Sequence, residues 1–183
     1  DFFDLKDIDH GSGAVDSYSP SPALLDLCEV YKYWIAAADL DGYRIDTVKH
    51  MDIGATRFFV TAIKEFAQTL GKENFFLVGE ITGGRERAVD TMEETGLDAA
   101  LGIDDVQLKL EGLMLGESNP EDYFDLFRNS ILVRKNTHVW FKDKVVTMIN
   151  DHDQVCKRER KARFCASAES AALALGALAL NAM

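Results

Sequence analysis

The stretch "DGYRID", residues 41–46, decides the fold, because it predicts an apolar strand that ends in a carboxylate with an arginine two residues before it. Successive side chains of a strand point to opposite faces, so Arg44 and Asp46 share one face. An Arg–Asp pair on one face of an otherwise apolar strand is costly to bury unless the two ions pair or the site is open. The stretch therefore predicts a strand that ends at a charged and open site.

Helices and short apolar strands alternate on both sides of this stretch. Apolar residues at helical spacing predict helices over 22–39, 54–70, 85–94, 105–135 (two pieces, broken near 116–120) and from about 163 to the end. Apolar runs predict strands over 41–46, 75–80, 97–104 and 144–151. Helix–strand alternation with short turns implies a parallel α/β sheet. Four strands, each followed by a helix, make half of an eight-stranded barrel or most of a small doubly wound sheet.

The start of the first helix has its own signal. Residues 11–22 form a loop-like stretch rich in Gly, Ser and Pro, and at its end Ser21 and Pro22 predict an N-cap followed by proline at the first helical position. We therefore expect the helix to begin at residue 22.

Composition limits the partners. The chain has 183 residues, a hydrophobic fraction of 47% and 31 acids against 20 bases, which gives a formal charge of −11. A polyanionic partner such as nucleic acid needs clustered Lys and Arg, so the charge argues against one. The apolar C-terminal stretch 171–183 is too short to span a bilayer, so no membrane partner is expected.

The three cysteines do not indicate a metal or disulfide framework. Cys28, Cys156 and Cys165 show no metal-ligand spacing, and an odd number leaves at least one unpaired. We expect all three to be packing residues.

Three predicted strands lead into a carboxylate: Asp46, Glu80 and Asp153. In parallel α/β folds the active site gathers at the carboxyl ends of the strands. A single acid at such a place usually caps the next helix, but three acids on separate strands, with Arg44 and His152 among them, favour an active site.

The segments "DGYRIDTVKH" (41–50), "FFLVGE" (75–80) and "TMINDHDQ" (147–154) resemble three successive signature regions of the α-amylase family of glycoside hydrolases. They come in the family's order and at suitable spacing. The resemblance implies a partial (β/α)8 TIM barrel, about strands 4 to 7 with their helices, with the first three strands and strand 8 absent. Residues 1–183 would then be a fragment of one catalytic domain, and 1–20 the end of the preceding loop or inserted loop domain.

The resemblance also implies roles for individual residues. Asp46 would be the catalytic nucleophile, Glu80 the general acid/base and Asp153 the third acid, which grips sugar hydroxyls and stabilises the transition state. The substrate-binding residues would be Arg44 beside the nucleophile, His152 at the −1 subsite, and Lys49 and His50 on the leaving-group side. Retaining cleavage needs one ionised carboxylate and one protonated carboxyl, which fits this set.

No cofactor is required for such a reaction, although the resemblance raises calcium binding. Residues 4–9 resemble the motif that closes the family's inserted loop domain, where an Asp can bind calcium. The candidate calcium ligands are therefore Asp7 and the carbonyl oxygen of His50.

We expect a retaining hydrolase or transglycosylase that acts on α-glucosidic bonds in starch-like or oligosaccharide substrates. One alternative is an enolase-like barrel enzyme whose three carboxylates hold Mg²⁺, although Arg44 would compete with a metal beside Asp46. Another is a catalytically inactive amylase-like binding subunit, against which the presence of all three acids argues. Bond specificity, the balance of hydrolysis and transfer, oligomeric state and localisation stay open.

Overall fold

The computed structural model describes residues 6–131, 140–149, 152–153 and 171–182. The chain divides into two compact units, one of Asp1–Glu80 with Asp90–Ala99 and the other of Ile81–Val89 with Ala100–Met183. Among the described residues, no helix combines the length and the apolar character needed to cross a membrane.

The helices and strands follow the predicted alternation. In chain order they are β1 (Gly11–Ser12), β2 (Ser19–Pro20), α1 (Pro22–Ala38), β3 (Gly42–Ile45), α2 (Ile53–Thr69), β4 (Phe76–Gly83), α3 (Arg85–Thr95), β5 (Ala99–Ile103), α4 (Asp104–Met114), α5 (Pro120–Phe124) and α6 (Ala171–Asn181). The predicted break near 116–120 is confirmed, because α4 ends at Met114 and α5 begins at Pro120. Residues 163–170 of the predicted last helix lie outside the described residues.

The predicted loop 11–22 contains two short strands, β1 and β2, which pair antiparallel through Gly11 with Pro20 and Ser12 with Ser19. The helix start at its end is confirmed. The Ser21 hydroxyl accepts a hydrogen bond from the Leu24 N–H at 3.1 Å, and Pro22 occupies the first helical position.

In the first unit, α1 and α2 pack against each other. The buried residues of α1 are Leu24, Cys28 and Ile35. The rings of Tyr31 and Phe59 meet edge to face, with centroids 5.3 Å apart. Cys28 is buried and its thiol is free, which confirms its packing role, and burial raises the pKa of this thiol. Cys156 and Cys165 lie outside the described residues.

One aromatic residue of α1 departs from the expected apolar face. Trp34 is apolar and lies next to Ile35 in the helix predicted over 22–39, but its side chain is 51% exposed. Neighbouring residues of a helix are about 100° apart around its axis, so a helix cannot turn both side chains toward the same neighbour. Ile35 is the fully buried residue of the two.

The sheet is parallel, as predicted. β3 pairs with β4 in the register Gly42 to Phe76, Tyr43 to Leu77, Arg44 to Val78 and Ile45 to Gly79. The hydrogen-bonded order of the three strands is β3-β4-β5. In the first unit, the Asp98 carboxylate at the entry to β5 accepts hydrogen bonds from the Leu77 N–H at 2.8 Å and the Lys64 ammonium at 2.6 Å.

Two predicted strand limits need correction. β4 does not end at Glu80 but continues to Gly83. The fourth strand, predicted over 144–151, is reduced in the described residues 144–149 to a single parallel bridge between Ala100 and Val145. Gly102, within β5, has a φ of +80°.

Helices dominate the second unit, where α4 contacts both α5 and α6. A Cβ atom on Gly176 of α6 would lie 3.2 Å from the Met114 sulfur, so these two helices approach closely at a residue without a side chain. The core of this unit includes Val106, Leu110 and Phe141, each at most 2% exposed.

Candidate active site

The register of β3 and β4 brings the first two predicted acids together. The paired residues end with Ile45 and Gly79, so Asp46 and Glu80 are the next residues on the two neighbouring strands. Neighbouring strands lie about 4.8 Å apart, which places the two residues at the same height and one strand spacing apart. Parallel pairing alone therefore sets one acid beside the other.

Arg44 contacts both acids. Its Nη1 atom donates a hydrogen bond to Asp46 Oδ1, and its Nη2 atom lies 3.2 Å from Glu80 Oε1. The predicted shared face of Arg44 and Asp46 is thereby confirmed. The guanidinium group links the two carboxylates through two different nitrogens.

The exposure of these side chains differs sharply. The Asp46 side chain is 62% exposed and that of Arg44 39%, whereas that of Glu80 is only 8% exposed. A buried carboxylate needs compensating donors, and Arg44 supplies one of them. Asp46 is thus accessible to a ligand from solvent, while the Glu80 side chain beside it is buried.

The second donor to Glu80 comes from Thr47, which the sequence analysis did not single out. The Thr47 N–H donates a hydrogen bond to Glu80 Oε2 at 2.9 Å. Thr47 adopts the left-handed conformation, with φ 51° and ψ 30°. Nothing in the residue type signals this role, because the donor is a backbone group and threonine rarely adopts a positive φ.

Lys49 and His50 follow directly in a short 3-10 turn, Val48–His50. Val48 is buried at 1% exposure and anchors the turn, whereas Lys49 and His50 are exposed. The His50 N–H donates to the Thr47 carbonyl oxygen at 2.8 Å. Lys49 and His50 therefore lie in the turn that follows Asp46 in sequence. Their contact with a leaving group stays a prediction.

His152 and Asp153 belong to the second unit. His152 Nε2 lies 3.2 Å from Asp153 Oδ2, and the two side chains are 73% and 59% exposed. Their predicted roles as −1 subsite histidine and third acid stay predictions. The preceding residues 150 and 151 lie outside the described residues.

Metal binding also stays a prediction. Asp7 is exposed in the segment before β1. Within the part of the chain that the structure describes, no three or more His, Cys, Asp or Glu side chains gather in a way that could hold a metal ion.

The chain is similar to known proteins of two kinds. No family model matches the chain. The chain is 26% identical to a cyclomaltodextrin glucanotransferase of Klebsiella oxytoca over 160 residues, which cover 82% of this chain and 22% of that protein. It is 27% identical to the cyclomaltodextrin glucanotransferase of Paenibacillus macerans over 151 residues, which cover 82% and 19% respectively.

Two α-amylases are also similar. An α-amylase of Streptomyces lividans is 34% identical over 71 residues, which cover 38% of this chain and 8% of that protein. The crystal structure of an Anoxybacillus α-amylase superposes with a TM-score of 0.57 at 22% identity, covering 73% of this chain and 28% of the other. The chain therefore spans about a fifth of the length of the glucanotransferases and less of the Streptomyces protein.

The strands β3 and β4 are neighbours in a parallel sheet, and Arg44 contacts both Asp46 and Glu80. These features define the general class, an α/β domain with a carboxylate site. The matches confirm the resemblance that the three sequence segments predicted. The chain is thus similar to α-amylases and to cyclomaltodextrin glucanotransferases.

Proposed function

We propose that the full-length protein containing this chain is a retaining glycoside hydrolase or transglycosylase that cleaves α-glucosidic bonds in starch-like glucans or oligosaccharides. In this proposal the chain supplies about strands 4 to 7 of a (β/α)8 barrel. The observation that carries the proposal is the contact of Arg44 with both Asp46 and Glu80, because retaining cleavage needs two carboxyl groups close together.

The two acids divide the reaction between them. In the first step an Asp46 oxygen forms a bond to the anomeric carbon as the bond from that carbon to the leaving oxygen breaks, and Glu80 gives its proton to the leaving oxygen. In the second step Glu80 takes a proton from water or from a sugar hydroxyl, whose oxygen attacks the anomeric carbon and releases Asp46. Water as acceptor gives hydrolysis, and a sugar hydroxyl gives transfer.

Geometry supports this assignment of mechanism. Retaining enzymes hold the two carboxyl groups about 5–5.5 Å apart, against about 6.5–9.5 Å in inverting enzymes. Acids that are next in register on neighbouring strands start from a spacing of about 4.8 Å, which favours the shorter separation. Asp153 is proposed as the third acid and His152 as its neighbour in the sugar subsite, on the strength of the sequence resemblance.

The proposal is tested by following the anomer released from maltotriose by the full-length protein, with NMR before mutarotation. The α-anomer is expected, and a β-anomer as first product would contradict retention. Asp46→Asn and Glu80→Gln should each abolish turnover. Asp41→Asn is the matched control, because Asp41 begins the same segment but its 90% exposed side chain pairs with Lys72 at 2.8 Å.

The same preparation separates the alternatives. An enolase-like enzyme would lose activity with a chelator and regain it with Mg²⁺ alone, whereas the proposed reaction needs no metal for its chemistry. An inactive binding subunit would retain glucan without any turnover. Against the magnesium reading, the Arg44 guanidinium already places a cation at both carboxylates.

A further inference from the structure

Two non-glycine residues of the described chain adopt a positive φ, and they differ in how easily that is explained. Asp39, at φ 53°, ends helix α1, where a left-handed residue is common and a short polar side chain tolerates it. Thr47, at φ 51°, follows strand β3 and is β-branched, which makes a positive φ a genuine outlier. The surrounding structure must hold Thr47 in this conformation.

The left-handed backbone of Thr47 places its two peptide groups in specific contacts. Its N–H donates to Glu80 Oε2 at 2.9 Å, and its carbonyl oxygen accepts from the His50 N–H at 2.8 Å. The first contact spans 33 residues of sequence and reaches a side chain that is 8% exposed. Strained residues at functional sites commonly serve to pre-organise a reacting group.

Each Glu80 oxygen therefore has a different neighbour. Oε2 accepts from the Thr47 N–H, which occupies one of its lone pairs, whereas Oε1 lies 3.2 Å from Arg44 Nη2. Arg44 also binds Asp46 through Nη1, so it can keep its contact with Asp46 while Oε1 is engaged elsewhere. The Thr47 N–H is a backbone donor, so its position does not depend on a side-chain rotamer, whereas that of the Arg44 guanidinium does.

We propose that Thr47 is a positioning residue for the general acid, in that its left-handed backbone fixes Glu80 Oε2 and leaves Oε1 as the oxygen that transfers the proton to the leaving group. This inference rests on the proposed function. It adds a backbone donor and an assignment of the two carboxyl oxygens that the sequence resemblance does not contain. The proton leaves Oε1, the leaving oxygen gains it, and Oε2 stays hydrogen-bonded to Thr47 throughout.

The test removes the Thr47 N–H donor. In the full-length protein, Thr47 is replaced by its α-hydroxy analogue, so that an ester oxygen takes the place of the N–H while the side chain is kept. Two substrates are compared: maltotriose, whose leaving group needs a proton, and α-maltosyl fluoride, whose fluoride leaves without one. We expect kcat on maltotriose to fall about tenfold and kcat on the fluoride to change less than twofold, with KM nearly constant.

The pH profile gives a second measure. Loss of a donor to the ionised carboxylate should move the alkaline limb of the kcat profile on maltotriose to higher pH. The matched control is the same ester replacement at Phe76, whose N–H donates to the Asp41 carbonyl oxygen at 2.9 Å between the same two strands but at their opposite ends. This control should leave the ratio of the kcat values for the two substrates, and the pH profile of kcat, as in the wild type.

The outcomes are distinguishable. A Thr47 ester that slows both substrates equally, or neither, overturns the positioning role while the proposed function stands. A wild type that cleaves neither maltotriose nor α-maltosyl fluoride overturns the proposed function, and this inference with it.

Discussion

The β3–β4 pair of the first unit and the Ala100–Val145 bridge of the second unit show how much depends on continuous strand pairing. Four residue pairs align β3 with β4, and this ladder sets Asp46 beside Glu80. In the second unit a single bridge is present in the described part, residues 144–149, of the strand predicted over 144–151. A parallel ladder carries a register to the residue that follows it, whereas one bridge carries none to Asp153, eight residues further on. The structure accordingly defines the site around Asp46 and Glu80, and the role of Asp153 rests on sequence.

The largest effect on activity is expected from Arg44, which contacts both acids. Arg44→Leu should lower kcat on maltotriose about 10²- to 10³-fold, because it removes the group that orients both carboxylates. The fold should persist, since Arg44 is 39% exposed and Glu80 keeps the Thr47 N–H.

Steady-state kinetics and circular dichroism of the full-length variant check this expectation. Arg57→Leu is the matched control, because Arg57 forms an exposed ion pair with Asp16 at 3.0 Å and touches neither acid. A folded Arg44→Leu variant with near-normal kcat would remove the main support for an active site at this ladder.

The sequence predicted most of this first region for simple reasons. A period of two places Arg44 and Asp46 on one face, and parallel pairing puts Asp46 and Glu80 at the same height. It could not predict the left-handed Thr47, because that conformation comes from the surrounding contacts and is unfavourable for the residue type. It also could not fix the end of β4, since apolar character ends near Glu80 while the strand itself runs to Gly83.

In the second region the sequence pattern was less reliable. Residues 144–149 are rich in β-branched side chains, which favour a strand, but strand propensity depends on available partners. Gly102 on β5 has a positive φ, and the described residues 144–149 pair with β5 through a single bridge between Ala100 and Val145. Glycine adopts positive and negative φ about equally readily, so the residue type alone does not predict this conformation.

The second-largest effect tests whether the weaker region nevertheless belongs to the site. Asp153→Asn should lower kcat on maltotriose at least about 10²-fold if Asp153 stabilises the transition state. Its exposed pair with His152 should contribute less than about 1 kcal/mol to stability, so the melting temperature should hardly change. Asp143→Asn is the control, because Asp143 is a similarly exposed acid 3.9 Å from Lys142. Equal activity of the two variants would exclude Asp153 from the site.

A smaller effect is expected from disturbing the ladder itself. A Cβ atom on Gly42 would lie 2.3 Å from the Phe76 carbonyl oxygen, so Gly42→Ala must push β3 away from β4. We expect the free energy of unfolding to fall by about 1–3 kcal/mol and kcat to fall with it, because Asp46 moves relative to Glu80.

Urea unfolding and kinetics on the same preparation measure both quantities. Gly71→Ala is the control, since Gly71 has a φ of +76° but nothing within 4 Å of an added Cβ. It should cost about 1 kcal/mol through backbone strain and leave kcat unchanged. If Gly42→Ala loses stability but keeps full activity, the ladder does not set the geometry of the two acids.

The smallest effect concerns the other end of the ladder, where Lys72 ties the end of α1 to the start of β3. Lys72 Nζ lies 2.7 Å from Asp39 Oδ1 and 2.8 Å from Asp41 Oδ1, and its hydrogen bond and charge hold the pKa of Asp39 below its ordinary value. A carboxylate whose pKa is lower in the folded state stabilises the fold above its unfolded pKa, and this contribution is lost as the pH falls through the folded value.

Lys72→Met should therefore flatten the decline of unfolding free energy below about pH 4, by a small amount because both carboxylates are almost fully exposed and screened by salt. Urea unfolding at low and at 0.5 M salt checks this, with Lys32→Met, which breaks the Lys32–Glu29 pair within α1, as the control. An effect of Lys72→Met on kcat for maltotriose would contradict the separation of this ion cluster from the site at the opposite ends of the strands.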